Sequence, residues 1–323
     1  DKLYLLSNFQ LEVFDLASGK VLNRLSLGRS ADNKGINCYN GKLTLSTEGK
    51  AIIVCQLSSN EDTDFNDWRL FQFSKEDFEI EFSYGLTHQP VRAWGPTTWP
   101  QKNGLLFWLH EEKKVWRQDN SGTLCWELDV PEGAVVRANG KLLAVLSDKS
   151  LSLYCTDDGR QTLKLEMAKW KPDCPMRDEV VLRRDGGFYL FSRQGHAMRF
   201  SPTGEVLWKK EPADAGYWLT DLQASEGDGY CGFSSDKFAQ MSAQGDLRLF
   251  KTLSNRKSHL WFADHLYIHR GEQLHHWKLD SETPLKKAID LPTFQTELKD
   301  ICPKGLVGQY FLDGWHLFFL AHK

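Results

Sequence analysis

Five histidines crowd one short stretch late in the chain, His259, His265, His269, His275 and His276. Imidazoles at close spacing can ligate a metal or carry a proton near neutral pH. His265 and His269 lie four apart in a stretch that reads as a strand, so they share a face but stand about 13 Å apart at about 3.3 Å per residue. That is too far for one tetrahedral ion with bonds of about 2 Å. Histidines paired with neighbours on strand surfaces are the favoured reading, and neither metal nor cofactor is expected. The run Glu61-Asp62-Thr63-Asp64-Phe65-Asn66-Asp67 spaces its carboxylates as a calcium loop does. It lacks the central Gly and the terminal bidentate Glu of an EF-hand, and reads as a solvated loop. His-Glu-x-x-His, Gly-x-Ser-x-Gly, the phosphate loop and Gly-x-Gly-x-x-Gly after a strand are all absent, so no catalytic residue is assigned.

Binding chemistry is better represented. The segment Ala168-Lys169-Trp170-Lys171-Pro172-Asp173-Cys174-Pro175-Met176-Arg177-Asp178 sets an aromatic among Lys, Pro, Met and Arg. Trp, Met and Arg are enriched in interface cores. The candidate partner-binding residues are therefore Trp170, Lys171, Met176 and Arg177, with Asp64 and Phe65 of the acidic loop expected on the same face. Trp94 and Trp99 are expected in a loop joining a first to a second strand, on the opposite face.

The elements that position these residues repeat. A turn reads Asp15-Leu16-Ala17-Ser18-Gly19, then Asp119-Asn120-Ser121-Gly122, Asp157-Asp158-Gly159, Ser201-Pro202-Thr203-Gly204 and Ser242-Ala243-Gln244-Gly245. Degenerate copies lie at Ser74-Lys75-Glu76-Asp77 and Asp280-Ser281-Glu282-Thr283. Asp or Ser at the start can bond the backbone two residues on, and Gly supplies the positive φ of a tight hairpin. Trp126 and Trp208 follow their glycines by four residues. Taken at Gly19, Asp77, Gly122, Gly159, Gly204, Gly245 and Ser281, the copies recur about every 44 residues, against about 40–45 for a four-stranded propeller blade. Short alternating strands fill the spaces, such as Leu142 to Leu146, Leu151 to Cys155 and Thr162 to Leu165, and no 3.6-residue pattern persists.

This turn, with its following Trp, resembles the repeat of PQQ-like (quinoprotein-like, BamB-like) β-propellers, with WD-type repeats as a related comparison. The resemblance implies an all-β fold: a seven-bladed β-propeller, with eight blades left open, of four-stranded antiparallel blades. The N-terminal unit supplies three strands, Leu3 to Leu6, Gln10 to Asp15 and Val21 to Leu27. Two C-terminal strands, Leu306 to Leu312 and Trp315 to Leu320, are available to close the ring. Residues 1–323 are read as one domain, open to being part of a longer chain. The sequence shows no vicinal Cys-Cys pair or cofactor set of the quinoprotein enzymes, and none of that family's functional residues transfers to it.

Composition agrees. Forty aromatic residues exclude disorder, and 40 basic against 43 acidic side chains leave no excess for a nucleic-acid partner. No apolar run approaches the roughly 18–20 residues of a membrane helix, so no membrane insertion is expected. Seven cysteines are scattered without a C-x-x-C pair, which favours a reducing compartment with thiols in the core. Asp1-Lys2-Leu3-Tyr4 begins as a strand with no signal-peptide pattern, so a cytoplasmic location is expected, a processed leader staying open. The function expected is a non-enzymatic platform for protein partners or a scaffold domain of a larger assembly. The alternatives are a small-molecule or glycan-binding or hydrolysing propeller with its site at a central channel, and periplasmic BamB-like assembly, which would require an excised leader.

Overall fold

A computed structural model describes residues 2–7, 10–15, 18, 20–26, 37–45, 51–58, 66–74, 80–85, 97–110, 112–167, 179–183, 185–192, 196–210, 220–224, 229–234, 237–252, 256–262, 265–270, 273–278, 289–290, 296–302, 305–311 and 315–321. The strands among them form eight antiparallel sheets, each a meander in chain order. The first holds β1 (Lys2–Ser7), β2 (Gln10–Asp15) and β3 (Val21–Ser26). The second holds β4 (Asn37–Leu45), β5 (Ala51–Ser58), β6 (Asn66–Phe73) and β7 (Ile80–Gly85). The third holds β8 (Thr97–Gln101), β9 (Gly104–Leu109), β10 (Lys114–Gln118) and β11 (Leu124–Asp129). The fourth holds β12 (Val135–Ala138), β13 (Leu142–Leu146), β14 (Ser150–Cys155) and β15 (Gln161–Glu166). The fifth holds β16 (Glu179–Leu182), β17 (Phe188–Phe191), β18 (Ala197–Phe200) and β19 (Val206–Lys210). The sixth holds β20 (Thr220–Ala224), β21 (Tyr230–Ser234), β22 (Lys237–Met241) and β23 (Leu247–Thr252). The seventh holds β24 (Arg256–Phe262), β25 (His265–Arg270), β26 (Gln273–Lys278) and β27 (Ile289–Asp290), and the eighth β28 (Thr296–Cys302), β29 (Gly305–Phe311) and β30 (Trp315–Ala321). The first and last sheets have three strands each. β28 adds a strand to the two read at the C-terminal end of the sequence.

The chain divides into two compact units, Asp1–Glu166 and Met167–Lys323. Within each, first strands of successive sheets approach one another, β4 with β8 in one unit and β16 with β20 in the other. The second strands β9, β13 and β17 are buried nearly throughout. The fourth strands β11, β15 and β19 alternate exposed and half-buried side chains, the pattern of a strand covered on one face only.

The core lies between sheets. Leu106 and Val115 of the third sheet meet Val136, Leu143 and Val145 of the fourth, with Trp99, Trp108 and Trp126 packed around them. Val181, Tyr189, Phe191 and Ala197 of the fifth meet Tyr230 and Met241 of the sixth, with Trp208 alongside. Tyr230 and Phe191 pack edge to face at 4.7 Å. Burying such a side chain contributes about 1.5–3 kcal/mol, so each sheet relies on its neighbour.

Candidate interaction surface

The turn between third and fourth strands organises the outer surface. In the third sheet Asp119 Oδ1 accepts from the Ser121 hydroxyl at 2.6 Å and from the backbone N–H groups of Ser121 and Thr123 at 2.8 and 2.9 Å. The Gly122 N–H donates to the Asp119 carbonyl at 3.1 Å, and Gly122 takes φ 84°, where a Cβ would be strained. Ser201 and Ser242 play the same part through their hydroxyls, each accepting from two backbone N–H groups.

A β-bulge follows each of these turns at one register. It lies opposite Val13/Phe14, Gln72/Phe73, Arg117/Gln118, Leu153/Tyr154, Arg199/Phe200 and Gln240/Met241. The residue left without a cross-strand partner is Leu22, Glu81, Cys125, Thr162, Leu207 or Arg248. A bulge bends the strand and re-aims the side chain after it. Here that side chain reaches the next sheet. The Trp126 indole N–H donates to the Thr156 carbonyl at 3.3 Å, and Trp208 donates to the Ala243 carbonyl at 2.7 Å. The third strand adds Gln72, whose amide donates to the Asn120 carbonyl at 3.4 Å, and Arg199, which reaches the Ala243 carbonyl at 2.7 Å. These polar side chains bind backbone carbonyls.

The same bulge turns apolar side chains outward. Val21 is 43% exposed, Leu22 52%, Leu124 45% and Leu207 51%, and Cys125 is also exposed. All lie two or three residues past a turn glycine, on β3, β11 and β19, the last strands of their sheets. The exposed Cys125 corrects the expectation of thiols in the core. Charges around the patches differ. Lys114 Nζ lies 3.2 Å from Glu127 and 3.9 Å from Asp129, and the Glu127 hydrogen bond raises its pKa above the ordinary lysine value. The Ser121 hydroxyl, then the Thr123 and Ser121 N–H groups, hold the Asp119 carboxyl below the usual range. Burial pushes the Tyr267 hydroxyl up to about 12 and carries that of Tyr230 higher.

The sequence candidates fare unevenly. Asp64, Phe65, Trp170, Lys171, Met176 and Arg177 lie outside the described residues, as does Trp94. Trp99 does not sit in a loop between first and second strands. It belongs to the first strand β8, opposite Leu106, because its apolar ring packs into the core between the third and fourth sheets. His265 and His269 share a face of β25, with Tyr267 between them paired to His276. Among the described residues no group of three His, Cys, Asp or Glu is placed to hold a metal ion, and no helix is long and apolar enough to cross a membrane. The outward apolar residues escaped the sequence reading. Their signal is a pair of consecutive apolar residues soon after the turn glycine, Val21-Leu22, Leu124-Cys125 and Val206-Leu207, which breaks strict alternation.

No protein-family model matches the chain, and no curated protein matches it in sequence. Solved structures are similar in fold. BamB from Moraxella catarrhalis superposes with a TM-score of 0.58 at 12% identity, covering 96% of each chain. AztD from Citrobacter koseri gives 0.59 at 11% identity, covering 95% of this chain and 88% of its own. The computationally designed Ika8 protein gives 0.60 at 11% identity, covering 98% and 95%. The likeness to PQQ-like β-propellers is therefore one of fold; at this identity function has to be argued from the surface.

Proposed function

We propose that the chain is a non-enzymatic β-propeller serving as a protein-interaction platform or a scaffold domain of a larger assembly. The observation that carries this is the recurrence of exposed Val21, Leu22, Leu124 and Leu207 at the two positions where the bulge follows the turn, on three outer strands. Single exposed apolar residues are ordinary on protein surfaces; their repetition beside a rigid turn is a pattern suited to a partner. The polar side chains that reach between sheets are occupied with backbone carbonyls, a structural task. The reading includes closure of the sheets into one ring that removes free inner edges. That the strands fall into eight sheets supports eight blades over seven. It also includes a reducing, cytoplasmic setting, supported by unpatterned cysteines of which Cys125 and Cys155 are free thiols.

Photo-crosslinking tests the platform. Benzoylphenylalanine placed at Leu22, Leu124 or Leu207 in cells should trap discrete protein partners, while the same group at Thr162, the polar position on β15 equivalent to Leu22 and Leu207, should not. Crosslinking no stronger at the three leucines than at Thr162 would falsify the platform reading.

A further inference from the structure

We propose that Asn139 is a site of self-modification, where the chain converts an asparagine to aspartate and isoaspartate through a cyclic imide; the inference is independent of the platform reading. In an Asn-Gly pair the glycine nitrogen can attack the carboxamide carbon before it, because no Cβ shields the approach. The sequence holds three such pairs, Asn40-Gly41, Asn103-Gly104 and Asn139-Gly140. The fold treats them differently. Asn40-Gly41 is extended within β4, between Tyr39 and Lys42, which pair with Gln56 and Val54 of β5. Gly104 is buried at the start of β9 with φ 129°, where a Cβ would be driven into the Gln118 carbonyl. Gly140 lies exposed in the turn between β12 and β13, outside their ladder. Its N–H donates to no group among the described residues. The fold does not require glycine there: its φ lies outside the left-handed range, and a Cβ would meet nothing within 4 Å.

The same turn activates the carbon that is attacked. Asn139 Oδ1 accepts from the Lys141 N–H at 3.1 Å and from the Leu142 N–H at 2.9 Å. Paired donors on a carbonyl oxygen stabilise the charge it gains when its carbon becomes tetrahedral. In the step the Gly140 nitrogen gives its proton to water and bonds to Cγ. The Cγ–Nδ2 bond breaks, and the amide nitrogen takes up a proton and leaves as ammonia. Water then opens the imide at either carbonyl. One opening gives aspartate; the other gives isoaspartate, whose main chain runs through Cβ and Cγ and is a carbon longer. Thr156 carries the consequence inward. It is buried, its N–H donates to the Lys141 carbonyl at 3.1 Å, and its hydroxyl donates to the Gly140 carbonyl at 3.4 Å. Its own carbonyl accepts the Trp126 indole N–H. Lengthening the turn therefore shifts the residue that anchors Trp126 between the third and fourth sheets.

Incubating the full chain at mildly alkaline pH and mapping its peptides by mass spectrometry tests this, with enzymatic methylation of isoaspartate identifying the rearranged product. Asn139 should convert ahead of Asn40 and Asn103, and the three rates should converge in the urea-unfolded chain. Gly140→Ala should melt with the parent and slow conversion at least about tenfold, about 1.4 kcal/mol in the barrier. The melting temperature of the parent should fall as isoaspartate accumulates, while that of Gly140→Ala holds. Conversion at Asn40 or Asn103 first, an order unchanged by urea, or an undiminished rate in Gly140→Ala overturns the assignment. A melt that ignores the isoaspartate content overturns the link through Thr156.

Discussion

Two glycines with almost the same backbone conformation separate the strain of a turn from the packing between sheets. Gly133 has φ 70° and Gly159 φ 71°. A Cβ on Gly133 would meet nothing within 4 Å, whereas one on Gly159 would stand 2.9 Å from Trp126 Cδ2 and 3.0 Å from its Cγ. Alanine in the left-handed region costs about 1–2 kcal/mol, and loss of glycine's unfolded-state freedom returns about 0.4–1 kcal/mol. Gly133→Ala should therefore cost about 1 kcal/mol. Gly159→Ala carries the same strain and must also displace an indole whose N–H is tied to the Thr156 carbonyl and whose ring packs against the core cluster that includes Leu143 and Val145. Overpacking of that kind costs about 1–3 kcal/mol more, for a total of about 2–4 kcal/mol. Urea unfolding followed by circular dichroism reads both, the slope being held constant to show that only stability changed. The decisive arm is the double variant: in a Trp126→Ala background the Gly159→Ala cost should drop to that of Gly133→Ala. Equal costs at the two glycines in the parent, or no coupling to Trp126, would refute the account of Trp126 as the pin between the third and fourth sheets.

Three further outcomes are expected. Gly229→Ala should prevent stable folding or cost more than Gly159→Ala, since its Cβ would be driven into the Met241 carbonyl, a backbone atom that cannot swing aside; a soluble variant melting with the parent would contradict this. Tyr267 titrates near 10 when unfolded and about 12 when folded, so the native state keeps its proton longer. Stability from this group is complete below about pH 10 and falls as pH rises toward 12; Tyr267→Phe should flatten that limb in pH-dependent urea melts. Asp119, held below the usual carboxylate range by Ser121 and Thr123, should show a depressed titration midpoint by NMR, and Ser121→Ala should move it upward; an unchanged midpoint would remove Ser121 as the leading cause.

What the sequence disclosed and what it withheld have one physical source. Asp119, Ser201 and Gly122 announce the turn because the turn's requirements are local: an acceptor two residues back and a positive φ are properties of residue types. The strand Leu142–Leu146 is legible for the same reason. The glycines that open second strands, Gly104, Gly187 and Gly229, were not, because what demands them is the carbonyl of Gln118, Phe200 or Met241 on the adjoining strand, a neighbour visible only after pairing. Trp99 was misplaced in a loop for a related reason: Pro96 and Pro100 flank it like turn residues, while the apolar core that claims its ring is built by the fourth sheet. The exposed apolar residues of the outer strands sit between these cases. Alternation would send Leu124 inward with Trp126, but the bulge at Cys125 changes the register, and a bulge is a relation between two strands. The rule that would have found it is therefore conditional: where a turn glycine is followed at two and three positions by consecutive apolar residues, and then by Trp or a polar strand residue, at least one of the apolar pair faces solvent. Leu247-Arg248 of the sixth sheet keeps only half of that pair, so the rule makes no assignment there.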